Sequence, residues 1–435
     1  MSQQVVDSQP ARSIDRGEVG HDVVAEVRAW LDDNWDPDLT VGEWWERLAG
    51  SGWAVPMWPT EWHGRGLARD DANGVTAEIA AAGALGPPGG LGVLLAGPTI
   101  VAHGTDEQRK RYLGPIVTGK EAWCQLFSEP EAGSDLAGLR CAAMRDGDEW
   151  VVNGQKVWTS GAQIADLGML MARTDPDVPK HRGISYFAID MHQPGIDIRP
   201  LREMTGRALF NEVFLTDARV PDDALIGERN GGWAVGNTTL MFERSGLGAG
   251  GGGAASAASP GTVMGHLDKR AGDFTGQRAS GTSGGISGLG LGMVTETARS
   301  NGASADPVLR QELMKLHTMQ QIARYNNLRL KAAKEAGQDI PGLANLSKLI
   351  MSRMMRMARD LGPRILGPAG QLVGSDAPDG GTLAALCLFA PAVSIYGGSD
   401  EVQHNIIGER VLGLPSEPRT DKELPFKDLR RSGSD

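Results

Sequence analysis

Apolar positions change their period twice along this chain. From about Val23 to Lys120 they recur at helical spacing: Trp44, Trp45 and Leu48 fall at i, i+1 and i+4, with helix stops at Gly50, Gly52 and Pro56. A second helix is predicted over Val75 to Ala84, and Thr105-Asp-Glu-Gln108 reads as the capping box of a third, Glu107 to Leu113. The period then falls to two. Glu149 to Trp158 reads as a hairpin turning at Asn153-Gly154, a pair that readily takes the positive φ angles of a type I′ turn. Ile184 to Met191, Gly195 to Leu201 and Glu212 to Val220 read as further strands. After Gly231 helical spacing returns, with Leu309, Leu313, Leu316 and Met319 on one face of a long helix. Leu346, Leu349, Ile350, Met354, Met357 and Leu361 line a second.

This order predicts an α+β multidomain protein, since 435 residues exceed one ordinary core. A helical N-terminal domain (1–125) precedes a middle β domain (126–230) and a C-terminal helical bundle (231–435). The last contains a glycine-rich insert at about 246–293, where Gly246 to Gly253 and Ser280 to Gly292 have flexible-linker composition. The helix beginning near Trp233 is therefore expected to break after Leu247, because glycine costs about 1 kcal/mol per helical position relative to alanine. No Lys-Ser/Thr follows these glycines, which excludes a P-loop.

Charge and composition narrow the partners. With 43 basic and 54 acidic residues the net charge is −11, which argues against nucleic acid or an anionic membrane surface as a partner. The longest apolar run, Leu383 to Tyr396, contains Pro391 and is too short to span a bilayer, and Met1 to Arg16 lack a signal-peptide core. Cys124, Cys141 and Cys387 have neither zinc nor disulfide-framework spacing, and His103, His317 and His404 are isolated. A soluble protein of the reducing cytoplasm is expected, with no metal.

Two motifs carry the chemistry. Gln125-Leu-Phe-Ser-Glu-Pro-Glu-Ala-Gly-Ser-Asp135 sets hydroxyls and backbone N–H groups in a turn, and Asn153-Gly-Gln-Lys-Val-Trp158-Thr-Ser160-Gly161 follows with an aromatic wall and a hydroxyl. Such a combination suits an electron-poor planar heterocycle. It resembles the flavin-binding middle domain of the acyl-CoA dehydrogenase family. The similarity extends over Gly97–Leu139, Trp150–Asp166, Trp233–Gly246 and Ser394–Leu414.

The resemblance implies a helical N-terminal domain, a central β-barrel-like domain and a C-terminal four-helix bundle. It also implies FAD-dependent removal of the α-proton and β-hydride of an acyl-CoA, giving a trans-2-enoyl-CoA, with electrons passed to an electron-transfer flavoprotein. Many members place the catalytic carboxylate in a Tyr-Glu-Gly-Thr block, but here Tyr396 is followed by Gly397. A minority place it on the first C-terminal helix, where this chain has Glu243 in Phe242-Glu243-Arg244. Glu243 is therefore the expected base, and the backbone N–H of Gly397 the expected donor to the thioester oxygen.

By the same resemblance Phe127, Ser128, Gly133, Ser134, Trp158, Ser160, Arg270, Ser399 and Glu401 face FAD, while Ser134, Phe242, Arg244 and Gly398 line the acyl-CoA channel. Two motifs depart from the family pattern. Arg270 stands in a block of altered spacing, and Arg364-Ile-Leu-Gly367-Pro368-Ala-Gly370 loses one N–H at Pro368. A homodimer or homotetramer is implied, or a heteromer in which this chain is a half-site or non-catalytic partner subunit. An acyl-CoA oxidase is the remaining enzymatic alternative, though such enzymes usually carry an additional C-terminal domain.

Overall fold

In the computed structural model, which describes residues 22–248, 257–276, 290–338, 340–372, 374–378, 380–418 and 421–429, five helices precede the first strand. They are α1 (Val23–Asn34), α2 (Val41–Gly50), α3 (Arg69–Ala81), α4 (Gly97–His103) and α5 (Asp106–Val117). The tryptophan pair of α2 is buried, and its indole N–H groups reach across to the segment after α3: Trp44 donates to Leu85 O at 2.6 Å and Trp45 to Gly86 O at 2.9 Å. Burying a large ring while satisfying its one polar atom makes this pair the hinge pin of the helical layer.

Helix α3 begins six residues before the predicted start. Its first turn is Arg-Asp-Asp, which carries acidic residues suited to a helix N-terminus but no apolar periodicity. Both halves of the predicted capping box of α5 form, with Gln108 N donating to Thr105 Oγ1 at 3.2 Å and Thr105 N to Gln108 Oε1 at 3.0 Å. That helix runs beyond Leu113, through Gly114 and Pro115, because Ile116 and Val117 are buried.

The strands are β1 (Trp123–Leu126), β2 (Ala142–Asp146), β3 (Glu149–Ser160), β4 (Leu167–Arg173), β5 (Ile184–Asp190), β6 (Ile196–Leu201) and β7 (Phe210–Pro221). They form one seven-stranded sheet in the order β1-β4-β2-β3-β7-β6, with β5 also on β4. The predicted turn at Asn153-Gly154 is absent; both residues lie inside β3. The hairpin turns instead at Gly147 (φ 68°), between paired Asp146 and Glu149. At Asn153-Gly154 the register against β7 slips, a β-bulge. Asn153 exchanges two 2.9 Å hydrogen bonds with Asp217, itself at φ 53°. A Cβ on Gly154 would stand 2.7 Å from Cys141 Cα, so the glycine serves a close strand approach rather than a reversal. Strand β4 escaped the alternation rule because all seven of its residues are buried, which erases the polar half of the pattern.

The remaining helices are α6 (Gly232–Gly248), α7 (Gly290–Ser300), α8 (Pro307–Glu335), α9 (Leu343–Leu366), α10 (Thr382–Val393) and α11 (Asp400–Ile406). A second core joins α7 to α10, with Leu313, Leu316, Met355, Leu361, Leu383 and Leu386 buried. Leu346, predicted on the inner face of α9, is exposed. Within the expected insert, residues 257–276 do not join this bundle. They run across the N-terminal helices: Val41 N donates to Lys269 O, Ala271 N to Leu39 O and Gly261 N to Gly119 O, each at 2.8 Å. The glycine-rich stretches on either side, 249–256 and 277–289, lie outside the described residues, and α6, predicted to break after Leu247, is described as far as Gly248.

Candidate active site

The segment after β1 is fixed by a buried ion pair. Glu129 and Lys156 are 2.8 Å apart and both buried. The same carboxylate accepts from Arg140 N at 2.6 Å and Cys141 N at 2.9 Å, and Lys156 Nζ also donates to Phe127 O at 3.0 Å. Val157 N donates to Ser128 O at 2.9 Å. Phe127 and Ser128 are thereby held against β3, while Gly133 and Ser134 lie exposed in the following turn. The roles of Glu129 and Lys156 were missed, although a lysine at an inward strand position is an anomaly the pattern contained.

Two residues beyond Lys156, a second register slip between Lys156 and Thr159 throws Trp158 outward. Trp158 has φ 60° and is 57% exposed, with its ring edge-to-face on Phe210 at 5.7 Å. A bulky residue in the left-handed region is a true outlier, and strain of this kind concentrates at functional sites. The exposed indole offers a flat apolar wall. Ser160 is half-buried two residues on, opposite Phe210 in the ladder.

Helix α6 is seated on the sheet by its first turns. A Cβ on Gly232 would stand 2.4 Å from Ser185 C and one on Gly236 2.6 Å from Met171 Sδ, so both glycines permit close approach. Thr239, fully buried, bonds Thr99 of α4 at 3.0 Å and Tyr186 of β5 at 3.2 Å. Burial raises the Tyr186 phenol above its ordinary value. This seat carries Glu243, one turn further on, to the end of β1, where Gln125 Nε2 donates to its Oε2 at 3.4 Å. Glu243 is half-buried there, as is Phe242, which packs on the first core; the side chain of Arg244 lies outside the described residues. Gly232→Ala is expected to cost about 1–3 kcal/mol by overpacking against β5, read as a lowered urea midpoint; an unchanged midpoint would show that α6 rides freely on the sheet.

The turn before α11 has the other expected groups. Gly397 (φ 64°) and Gly398 (φ 82°) take left-handed conformations, and their carbonyls accept from Gln403 Nε2 at 3.2 and 3.5 Å. Gln403 is buried and in turn accepts from Asn345 Nδ2 at 2.6 Å. Among the described residues no hydrogen bond engages the N–H groups of Gly397, Gly398 or Ser399. Ser399 caps α11 through Val402 N, and Glu401 is exposed. Burial works to raise the Asp400 carboxyl, but its 2.7 Å bond from Arg356 and the nearby cations outweigh this and hold it below the usual range. Asp400 is thus a structural anchor for the turn.

Arg270 lies elsewhere, paired within its own chain to Asp38 at 2.6 Å and Asp273 at 3.3 Å. The three cysteines are free, and burial pushes the Cys124 thiol up to about 12 and Cys141 to about 11. Among the described residues no cluster could hold a metal, and no helix is long and apolar enough to cross a membrane.

Helical, strand and helical regions of this form match known proteins in the same order. Residues 18–120, 124–218 and 291–412 correspond to the N-terminal, middle and C-terminal domains of acyl-CoA dehydrogenases. The chain belongs to the acyl-CoA dehydrogenase family, whose members are FAD flavoproteins. It is 36% identical over 422 residues to acyl-CoA dehydrogenase IpdE1 of Mycobacterium tuberculosis, covering 91% of this chain and 98% of that one. Among solved structures, the Tcur3481-Tcur3483 steroid ACAD is similar with a TM-score of 0.68 at 29% identity, covering 91% of this chain and 97% of the other. The ChsE4-ChsE5 complex from Mycobacterium tuberculosis gives 0.65 at 28% identity, covering 90% and 97%.

Proposed function

We propose that this chain catalyses FAD-dependent α,β-dehydrogenation of an acyl-CoA thioester, with Glu243 as the base that takes the α-proton. The observation that carries this reading is the placement of Glu243, half-buried on α6 beside Gln125 of β1, in a chain whose Tyr-Gly-Gly turn has no carboxylate at 397. Phe127, Ser128, Gly133, Ser134, Trp158, Ser160, Ser399 and Glu401 would hold the cofactor, and the exposed indole and the unengaged N–H of Ser399 fit that task. FAD, when bound, supplies the acceptor for the β-hydride, and an electron-transfer flavoprotein would take the electrons onward. Gly397 N–H would donate to the thioester oxygen, where a preorganised backbone dipole stabilises developing negative charge. Ser134, Phe242, Arg244 and Gly398 would line the acyl channel. The absence of a side chain at 397 and the likeness to a steroid ACAD support a bulky, polycyclic acyl group.

A second reading has the chain working in assembly with a related chain. Arg270 is engaged by its own Asp38 and Asp273, and α8 presents Met314, Ile322, Tyr325 and Leu328 to solvent as an apolar stripe that another chain could cover. Likeness to the ChsE4-ChsE5 complex supports it. The test is to purify the chain alone and with a co-expressed relative, record the flavin absorption, and add straight, branched and polycyclic acyl-CoA esters without oxygen. A yellow protein bleached by one ester class supports the first reading, and flavin retained only in the mixed assembly supports the second. A flavin that no ester bleaches, in either preparation, overturns the dehydrogenase assignment. Turnover sustained by oxygen alone would mark an oxidase.

A further inference from the structure

An open cleft of about 570 Å³ lies on the sheet, lined by none of the residues proposed to hold flavin or substrate. Four of the residues around it, Arg140, Arg145, Arg173 and Arg229, are arginines, in a chain whose net charge is −11. The ladder explains their convergence. Arg173 at the end of β4 pairs with Ala142 of β2, and Arg145 of β2 pairs with Trp150 of β3, over whose ring Arg229 lies at 5.8 Å. Phe426 stacks on Arg173 at 3.7 Å and on Arg140 at 5.4 Å, and is fixed by Phe426 N donating to Val178 O at 2.9 Å.

The charges are poorly balanced. Arg145 pairs with Asp222 at 2.8 Å and Arg140 stands 3.7 Å from Glu131. Among the described residues neither Arg173 nor Arg229 has a carboxylate in ion-pair range. Arg173 is only 4% exposed; its terminal nitrogens donate to the carbonyls of Lys180, Ala137 and Leu139, and its buried Nε has no partner. Glu129, Asp135 and Asp175 act on this guanidinium only from beyond ion-pair range, and a buried cation so weakly compensated, with an idle N–H, is a costly arrangement that an anion would relieve.

We propose that this cleft binds a phosphate-bearing small molecule. Planar guanidinium forks match phosphate oxygens in pairs, and the volume suits a nucleotide-sized ligand. The exposed Met144 at its rim gives the remainder of such a ligand an apolar surface.

Calorimetric titration of the full flavin-loaded protein with pyrophosphate tests this. One saturable site is expected, with affinity falling as salt rises. Arg140→Gln and Arg229→Gln remove exposed side chains, so folding is spared, and each should weaken binding about tenfold. Absence of a saturable site, or unchanged affinity in the double variant, would overturn the proposal. Repeating the titration with saturating coenzyme A identifies the source: weakened pyrophosphate binding assigns the cleft to the nucleotide end of the thioester, and unaltered binding to a separate phosphorylated ligand.

Discussion

Glu243→Gln is expected to leave a folded, flavin-containing protein whose anaerobic bleaching by acyl-CoA is slowed by roughly 10²–10⁴-fold, about 3–5 kcal/mol in barrier height. The substitution preserves shape and leaves Gln125 an oxygen to donate to, so the seat of α6 through Thr239, Thr99 and Tyr186 is untouched. What is lost is the ability to accept a proton. Glutamine cannot serve as a base, and the other carboxylates near the turn are poorly placed to substitute. Asp400 is bound to Arg356, and Glu401 is exposed. Stopped-flow bleaching with a tight-binding ester and a parallel thermal melt separate catalysis from folding. A rate within a few-fold of the parent would assign the base elsewhere.

Lys156→Met should destabilise the protein by about 3–5 kcal/mol, because removing one member of a buried pair leaves the other charge uncompensated. Glu129 would retain only its two backbone donors, Arg140 N and Cys141 N, and Phe127 O would lose its partner. The urea midpoint should fall, and flavin should dissociate more readily as Phe127 and Ser128 loosen. Adding Glu129→Gln should recover part of the loss, since the orphaned charge is removed with it. Equal midpoints for parent and Lys156→Met would show that the pair is neutral for stability.

The residues proposed for the site rest on cues that are local in sequence. The capping box of α5 needs only four consecutive residues, and the proposed exchange of a carboxylate at 397 for one at 243 rests on two short blocks. Structure adds how α6 is seated: glycines at 232 and 236 let it sit directly on β4 and β5, which brings Glu243 beside Gln125. Gln403 and Asn345, which hold the Gly397-Gly398 turn, carried no signal, since neither their burial nor their spacing of 58 residues can be read from sequence.

The sequence by itself determined the succession of helical, strand and helical regions, the residue types at the site and the acidic character of the chain. Those depend on periodicity, motif and charge, all of which are properties of neighbouring positions. Tertiary structure decided where Asn153-Gly154 bends the chain, that β4 is a strand at all, and that residues 257–276 lie across the N-terminal helices. Each of these is set by which distant backbone comes close: Cys141 against Gly154, strands on both sides of β4, and Leu39 and Val41 beside the 269–271 segment. Local preference offers several conformations there, and the packing of remote segments selects one.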